Sequence, residues 1–185
     1  MEYTHDVEYA SMLEQYRREK DKYFAEAPDS PIPPDQRHRF TGLRYFPVDP
    51  KCRFFARLIE HDEPQKVSMV TSRGTVDEYL KQGYLKFELE GQTHRLQGYR
   101  SLRHHHEESL FVPFRDATSG EETYSSSRYV DVHMSEEGVY ELDFNTAYNP
   151  YCAYSDDYTC PLAPQENWLR IPIRAGEKNY KKSQQ

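Results

Sequence analysis

The chain has few of the residues that usually build a hydrophobic core. Leucine, isoleucine, valine and phenylalanine together make up 34 of its 185 residues, and its formal net charge is -7. Such a composition is common among disordered chains. Sixteen tyrosines supply the missing apolar area, because each ring buries a large surface and needs a partner only for its hydroxyl group. We therefore expect a folded single domain, residues 1–185, with an aromatic and hydrogen-bonded core.

Basic clusters and long apolar runs are also scarce, which narrows the class of partner. Phosphate contacts need concentrated lysine and arginine, and the only such cluster lies at the C-terminal end, where residues 179–185 read as a frayed tail. No segment has the length of a membrane span, and the acidic N terminus lacks the features of a signal peptide. The sequence predicts a cytoplasmic protein that binds neither nucleic acid nor membrane. It does not reveal whether the protein has a cofactor or which oligomeric state it adopts.

The chain has only three cysteines, Cys52, Cys152 and Cys160, an odd number that does not fit a disulfide framework. Reduced thiols are the default in a cytoplasmic protein. The segment between Cys152 and Cys160 is rich in turn-forming residues, so we expect it to fold back and bring the two cysteines together. Free thiols, a disulfide and a shared metal all remain open, although the spacing is not that of paired zinc ligands. Buried structural cysteines are the competing interpretation.

Residues 6–26 predict an amphipathic helix. Charged residues occupy one face of this helix, and the opposite face carries an apolar stripe of Tyr9, Met12, Leu13, Tyr16, Tyr23, Phe24 and Ala27. Pro28 should end the helix, and residues 28–39 form a proline-rich connector. Since a stripe of this kind usually packs on a sheet, we expect the helix to be docked within the monomer rather than reserved for a partner.

Short alternating runs take over in residues 40–178 and predict a β-rich body. The strongest signal is a hairpin, in which residues 84–89 and a second run through Leu96 flank a Glu90-Gly91 turn. Further strands are predicted at 43–48, 54–59, 67–71, 110–114, 129–132, 139–144 and 169–173, with Pro172 confining the last to an edge or an end. The expected fold class is α+β, mainly β, with the helix packed on an antiparallel sandwich or barrel of about eight or nine strands.

Charged and amide side chains gather near the ends of these predicted strands. One hairpin end should bring together Arg115, Asp116, Tyr124 and Arg128, where an arginine can bind a carboxylate or phosphate with two hydrogen bonds. The remaining candidates for a ligand site lie in the following strand and loops: Asp143, Asn145, Asn149, Glu166 and Asn167. The competing interpretation is an internal network of arginine and carboxylate, with loop amides that cap backbone groups.

A histidine run offers a weak candidate for a metal site. On a strand, His104 and His106 would share one face, and their spacing from Gly98 is similar to the opening of the cupin metal-binding motif. The glutamate that should follow is absent, since Leu110 or Phe111 stands in its place. A polar turn is the competing interpretation.

Three blocks of the sequence resemble the domain-of-unknown-function family 1684 of bacteria and archaea. They are FVPFRDATSGEETYSSSR, LDFNTAYNPYCAYSDDYTCPLAP and the run from Glu166-Asn167 to AGEK. The resemblance extends over nearly the whole chain, from the N-terminal helix to Lys178. The family pattern includes the positions of Asn145, Asn149-Pro150, Cys152, Cys160 and Glu166-Asn167, and it does not include the histidine run. The family has no established activity, so the resemblance implies no catalytic role.

Two functions are consistent with these features. The first is a small-molecule-binding β-rich domain, with an aromatic pocket rimmed by the polar residues above and a polar or anionic ligand. The alternative is an enzyme that uses Cys152 or Cys160 as a nucleophile, redox thiol or metal ligand. Either cysteine would then need a base from elsewhere in the fold, for which His133 and His94 are candidates.

Overall fold

The computed structural model describes residues 2–102 and 109–180 and consists of one long helix and two antiparallel sheets. Helix α1 (Glu2–Glu26) is the only α-helix of the described part, and no helix there is long and apolar enough to cross a membrane. Seven strands follow: β1 (Arg53–Ala56), β2 (Leu58–Val70), β3 (Val76–Leu89), β4 (Gln92–Ser101), β5 (Ser109–Phe114), β6 (Arg128–His133) and β7 (Tyr140–Asp143).

The five-stranded sheet has the order β2-β3-β4-β5-β6, and the second sheet pairs β1 with β7. Every strand pair is antiparallel, so the expected α+β, mainly β class is confirmed. Neither sheet is closed, and β2 and β6 form the edges of the larger one. The larger sheet therefore leaves two broad faces, of which one carries the core and the other carries the candidate site.

The predicted hairpin is present as strands β3 and β4. Leu85 pairs with Leu96, and the chain reverses at Glu90 and Gly91, whose φ angles are 53° and 73°. Two successive residues with positive φ are typical of a type I′ turn, whose twist matches that of the flanking strands. The hairpin prediction is confirmed, including its turn.

The main core lies between the two sheets. The larger sheet contributes alternate residues from β3 to β6, and the smaller sheet covers them with Ala56, Tyr140 and Leu142. Phe144 and Ile173 complete the cluster from the segments that follow. The ring of Phe144 packs against Phe114 with a centroid distance of 5.2 Å. Because this face is filled by apolar side chains, the opposite face of the larger sheet is the one that remains for α1 and the loops.

Helix α1 is docked, but its buried face differs from the predicted stripe. Tyr9, Leu13 and Phe24 are buried as expected, whereas Met12 and Tyr16 are 59% and 48% exposed. The docked face is completed by polar side chains, because Arg17, Lys20 and Asp21 bond to partners on the body of the protein. The helix also begins at Glu2 rather than at residue 6.

The connector after α1 is anchored rather than merely extended across the surface. The Ser30 hydroxyl donates a hydrogen bond of 2.5 Å to the Phe24 carbonyl and accepts one from the Ile32 backbone. The Ile32 side chain is fully buried beside Phe24. A short 3-10 turn, Arg37–Arg39, ends the segment. The connector therefore fixes the C-terminal end of α1 against the loops that border the candidate site.

Two predicted strands are absent, which reduces the expected eight or nine strands to seven in the described residues. Residues 43–48 form one isolated bridge, between Tyr45 and Glu177. Residues 169–173 belong to no strand, because Pro172 lacks an N–H group and side chains satisfy the neighbouring backbone. The Ile173 N–H donates to Asp116, and the Ile173 carbonyl accepts from Arg128. Leu169 and Ile171 bond the backbone of Arg115 and Ala117, so only at Ile173 are the partners side chains, which apolar alternation alone could not reveal.

Candidate functional site: an aromatic cleft and a cysteine pair

A cleft of about 680 Å³ lies between α1 and the outer face of the five-stranded sheet, and we call it the α1 cleft. Helix α1 forms one wall, strands β3, β5 and β6 form another, and the loop over residues 148–161 closes one side. Nine of its sixteen lining residues are aromatic. The lining consists of Tyr16, Glu19, Lys20, Tyr23, Phe24, Tyr79, Phe111, Tyr129, Asp131, Tyr148, Pro150, Tyr151, Tyr158, Thr159, Cys160 and Pro161.

The sheet wall of the α1 cleft is a continuous row of packed rings. Tyr79 stacks on Phe111 at 5.6 Å, Phe111 meets the edge of Tyr129 at 4.7 Å, and Tyr129 meets Tyr148 at 5.7 Å. Side chains two residues apart on a strand share a face, so Tyr129 and Asp131 project into the cleft together. Each ring thus packs against its neighbours in geometries that are typical of aromatic pairs.

The opposite wall is also aromatic but is more exposed. Phe24 of α1 is buried, and its ring meets Tyr151 edge-on at a centroid distance of 6.4 Å. Tyr151 in turn meets Tyr158 at 5.2 Å. Tyr16 and Tyr151 keep 48% and 38% of their surface accessible. A planar molecule between the walls would therefore cover exposed aromatic surface.

Three charged side chains line the α1 cleft, and their balance is negative. The ammonium group of Lys20 is already paired, since its Nζ lies 2.6 Å from the buried carboxylate of Glu177. Asp131 is exposed and accepts a 2.7 Å hydrogen bond from the hydroxyl of Tyr148. Glu19 lies on the exposed side of α1. The net charge of the cleft lining is therefore negative, because it has two carboxylates and one lysine, and the charge of Lys20 is neutralised by Glu177.

The tyrosine hydroxyl groups of the sheet wall remain protonated. Burial, followed by the charge of nearby Asp131, raises the pKa of Tyr148, and burial likewise raises the pKa of Tyr129. The Tyr129 hydroxyl donates a 2.5 Å hydrogen bond to the carbonyl of Pro161, which ties the loop to the sheet. The wall therefore presents neutral rings, and its hydroxyl donors are largely occupied.

Cys160 lies at the edge of the α1 cleft and is close to Cys152. The Cys152 N–H donates to the Cys160 sulfur at 3.4 Å, and both cysteines are free thiols. Cys152 lies in a 3-10 turn, Tyr151–Ala153, and is partly exposed, whereas Cys160 is buried. Ser72 holds Cys160 in place, because its backbone N–H donates to the Cys160 carbonyl at 2.9 Å. The turns around Tyr151 and Pro161 thus bring the cysteines together, as the sequence predicted.

The two thiols of this pair have opposite acidities. A hydrogen bond from the Cys160 thiol lowers the pKa of Cys152 to about 6, and the hydroxyls of Tyr124 and Ser72 support the same thiolate. Tyr124 Oη lies 3.7 Å from the Cys152 sulfur, and burial raises the pKa of this phenol to about 12, so that it remains a donor. The same pairing, with burial, raises the pKa of Cys160. Cys152 is therefore the thiolate of the pair near neutral pH.

The predicted hairpin site is an internal network and does not line the α1 cleft. Arg128 is 1% exposed; it donates to three backbone carbonyls and lies 3.4 Å from Asp116. Asp116 also accepts from Thr118 and from the Ile173 backbone. Arg115 stacks over the ring of Trp168 at 4.5 Å. These contacts match the competing interpretation of an internal network. Tyr124 lies with Cys152 instead.

The other predicted polar residues are likewise used inside the fold. Asp143 accepts a 2.5 Å hydrogen bond from Tyr9 of α1, and Asn145 bonds the backbone of Asp49. The remaining three bond to neighbouring strands and loops. Asn149 bonds to Glu177 and Lys178, Glu166 bonds to Lys81 and Tyr99, and Asn167 bonds to Gln97 and Pro113. The predicted ligand residues therefore do not converge on one pocket.

Three histidine predictions have different outcomes. His104 and His106 lie outside the described residues. The ring of His94 packs on Phe87 at 5.5 Å, and His133 borders a separate hollow beside α1. Within residues 2–102 and 109–180, no group of three histidine, cysteine or carboxylate side chains is placed to hold a metal ion. The contributions that lower the pKa of Cys152 come from Cys160, Tyr124 and Ser72, and none of them is a histidine.

The residues that sequence reasoning missed are the cleft tyrosines. Their signal was compositional, since sixteen tyrosines in 185 residues predicted aromatic surfaces without assigning positions. Tyr129 and Asp131 in β6 alternate with the core residues Val130 and Val132, and this pattern marks a second face that is aromatic and charged. The sequence showed this alternation, but it did not show that helix α1 would lie opposite that face.

Comparison with known proteins adds a family and a fold. Residues 38–178 match the model of a family described as protein of unknown function (DUF1684). An uncharacterised protein of Haloarcula marismortui, from gene locus rrnAC0354, has a solution NMR structure that is similar to this chain. The two are 41% identical, the match covers 96% of each chain, and the TM-score is 0.71. No protein with curated annotation matches significantly.

Proposed function

The chain belongs to the family of proteins of unknown function DUF1684, and we propose that it binds a small aromatic molecule, neutral or carrying an amine, in the α1 cleft. The observation that carries this proposal is the aromatic lining, nine rings around a space of about 680 Å³. Ligand pockets are commonly concave, mainly apolar and within this range of volume. The cleft between the docked helix and the sheet wall has these properties.

The shape of the cleft favours a planar ligand. The row of Phe111, Tyr129 and Tyr148 is fixed by ring contacts, whereas Tyr16 and Tyr151 on the other side are partly exposed. A ring that enters between them gains contacts with both walls. Each aromatic pair of this kind contributes roughly 0.5–1.5 kcal/mol beyond the burial of area.

The charge of the cleft selects against anions. Glu19 and Asp131 line it, and the lysine among the lining residues is neutralised by Glu177. The anionic ligand expected from the sequence depended on Arg115 and Arg128, and neither arginine lines the α1 cleft. Two unit charges about 4 Å apart interact by roughly 1 kcal/mol in water, which is about a fivefold change in affinity. An amine near Asp131 should bind better than a carboxylate by at least this factor.

The experiment uses three probes that share a phenyl ring and differ in one group: 2-phenylethylamine, 2-phenylethanol and 3-phenylpropanoate. Backbone amide shifts of the protein are followed by NMR during each titration. The proposal predicts shifts concentrated at Tyr129, Asp131 and Tyr148, with the amine and the alcohol bound more tightly than the carboxylate. Shifts that map elsewhere, or a preference for the carboxylate, would overturn the proposal.

Matched variants test whether the named side chains are responsible. Tyr16→Ala removes an exposed ring of the cleft, and Phe55→Ala removes a ring that is 65% exposed and outside it. We expect the Tyr16 variant to weaken binding of the alcohol severalfold and the Phe55 variant to leave it unchanged. Asp131→Asn should reduce only the advantage of the amine, since an amide oxygen can still accept the hydrogen bond from Tyr148.

A further inference from the structure

We propose that Cys152 and Cys160 form a dithiol site that reacts with small-molecule disulfides, with Cys152 as the attacking thiolate and Cys160 as the resolving thiol. The site shares Cys160 with the lining of the α1 cleft but requires no ligand there. Its basis is the geometry of the pair. The Cys160 sulfur accepts the Cys152 N–H at 3.4 Å, and Cys152 is partly exposed while Cys160 is 8% exposed.

The difference in exposure determines which sulfur reacts first. Cys152 is the more exposed of the two thiols, since Cys160 is only 8% exposed, so a disulfide arriving from solvent should react with Cys152 first. Tyr124 Oη, 3.7 Å from the Cys152 sulfur, is a hydrogen-bond donor to a thiolate at that position. The hydrogen bond to Cys152, followed by burial, raises the pKa of Cys160, which therefore keeps its proton until the second step. An accessible thiolate beside a shielded thiol is the arrangement that thiol–disulfide exchange requires.

The reaction proceeds in two balanced steps. In the first, the Cys152 sulfur forms a bond to one sulfur of the disulfide RSSR, the S–S bond of RSSR breaks, and RS⁻ leaves. In the second, the Cys160 thiol gives its proton to RS⁻ or water, and its sulfur attacks Cys152. The mixed S–S bond then breaks, and a second RS⁻ leaves and takes a proton from water. RSSR is reduced to two thiols, and the protein dithiol is oxidised to a Cys152–Cys160 disulfide.

The surroundings of the two sulfurs favour this reaction over a metal site or an inert structural pair. The described residues near the two sulfurs supply no third metal ligand, and their other neighbours are hydroxyl groups, Tyr124 and Ser72. An inert pair would be buried throughout, as Cys52 is, where burial and Asp49 raise the thiol pKa to about 11. Cys152 differs from Cys52 in both exposure and acidity, which makes Cys52 an internal reference for reactivity.

The expected rate follows from two opposing effects. At pH 6 a thiol of pKa about 6 is half ionised, whereas one with the ordinary pKa of 9.0 is ionised about once in a thousand molecules. The more acidic thiolate is intrinsically a poorer nucleophile, by roughly 30-fold over this range. Native Cys152 should therefore react about tenfold faster at pH 6 than the same cysteine in the urea-unfolded chain. The advantage should shrink towards neutral pH.

The test treats the reduced native protein with oxidised glutathione and maps the cysteines by mass spectrometry. The intact chain should release two glutathione thiols per protein and form the Cys152–Cys160 disulfide, with Cys52 unmodified. Cys160→Ser should accumulate a stable mixed disulfide at Cys152. Cys152→Ser should leave Cys160 unmodified.

Three results would overturn the proposal. They are equal reactivity of Cys152 and Cys52 in the native protein, a lasting glutathione adduct on the intact chain, and rapid modification of Cys160 in the Cys152→Ser variant. The first two are measured without any substitution, so a variant that fails to fold does not prevent a decision. Near-ultraviolet circular dichroism of each variant shows whether its fold is intact.

Discussion

Replacing Arg128 by methionine should destabilise the protein strongly without affecting the α1 cleft. Arg128 is 1% exposed, and its two Nη atoms donate to the carbonyls of Ile173, Ala175 and Glu177 and to Asp116. Methionine fills similar space but leaves these buried acceptors without donors. Removing one partner of a buried ion pair typically costs about 3–5 kcal/mol. For a domain of this size, such a loss lowers the melting temperature by roughly 10 °C.

The assay is urea unfolding followed by circular dichroism, with Arg174→Met as the matched control. Arg174 also pairs with a carboxylate, that of Glu122 at 2.9 Å, but its side chain is 60% exposed. Exposed pairs contribute about 0–1 kcal/mol, so the control should unfold almost as the intact chain does. An Arg128 variant within about 1 kcal/mol of the intact chain would refute the internal network. Loss of 2-phenylethanol binding at unchanged stability would instead restore the ligand site expected from the sequence.

Three further predictions follow from local geometry. In urea unfolding, Gly176→Ala should destabilise the protein far more than Gly74→Ala. Both glycines have a φ of +75°, but only at Gly176 would a Cβ lie 2.6 Å from a backbone oxygen. Equal losses of unfolding free energy in the two variants would contradict this. Tyr9→Phe should cost about 1–3 kcal/mol by leaving the buried Asp143 carboxylate without its 2.5 Å donor, and an unchanged urea midpoint would show that this contact does not hold α1. The pKa of Cys152 is lower in the folded chain, about 6, than its ordinary 9.0, so its contribution is lost as the pH falls through 6. The unfolding free energy of the intact chain relative to Cys152→Ser should therefore rise between pH 6 and 9, and a flat difference would rule out a folded-state thiolate.

Local sequence signals predicted the parts of the fold that depend on local conformation. The hairpin at Glu90-Gly91 was predictable because positive φ at two successive residues is a property of the turn itself. The C-terminal end of α1 was predictable because Pro28 cannot continue a helix. Residues 169–173 were not, since their alternation is that of a strand while Ile173 bonds the side chains of Asp116 and Arg128, which lie far away in sequence.

The candidate site was predictable in composition and in one local contact. Turns around Pro161 indicated that Cys152 and Cys160 meet, because only seven residues separate them. The α1 cleft is lined by residues more than a hundred positions apart, such as Tyr16 and Tyr148, and no local pattern encodes that they meet around one space. Charge was misleading for the same reason, since Arg128 looks identical in sequence whether it faces a ligand or three carbonyls.

Intermolecular NOEs between 2-phenylethanol and the aromatic protons of the protein would show directly whether the ring binds in the α1 cleft. A ring bound in the α1 cleft lies between two walls, so its protons should show NOEs both to Phe24 of the helix and to Phe111 of the sheet. Trp168 is 48% exposed and outside the cleft, which makes it the reference for unspecific contact. We expect NOEs to Phe24 and Phe111 and none to Trp168. NOEs to Trp168 without those to the two phenylalanines, or none at all at saturating probe, would contradict it.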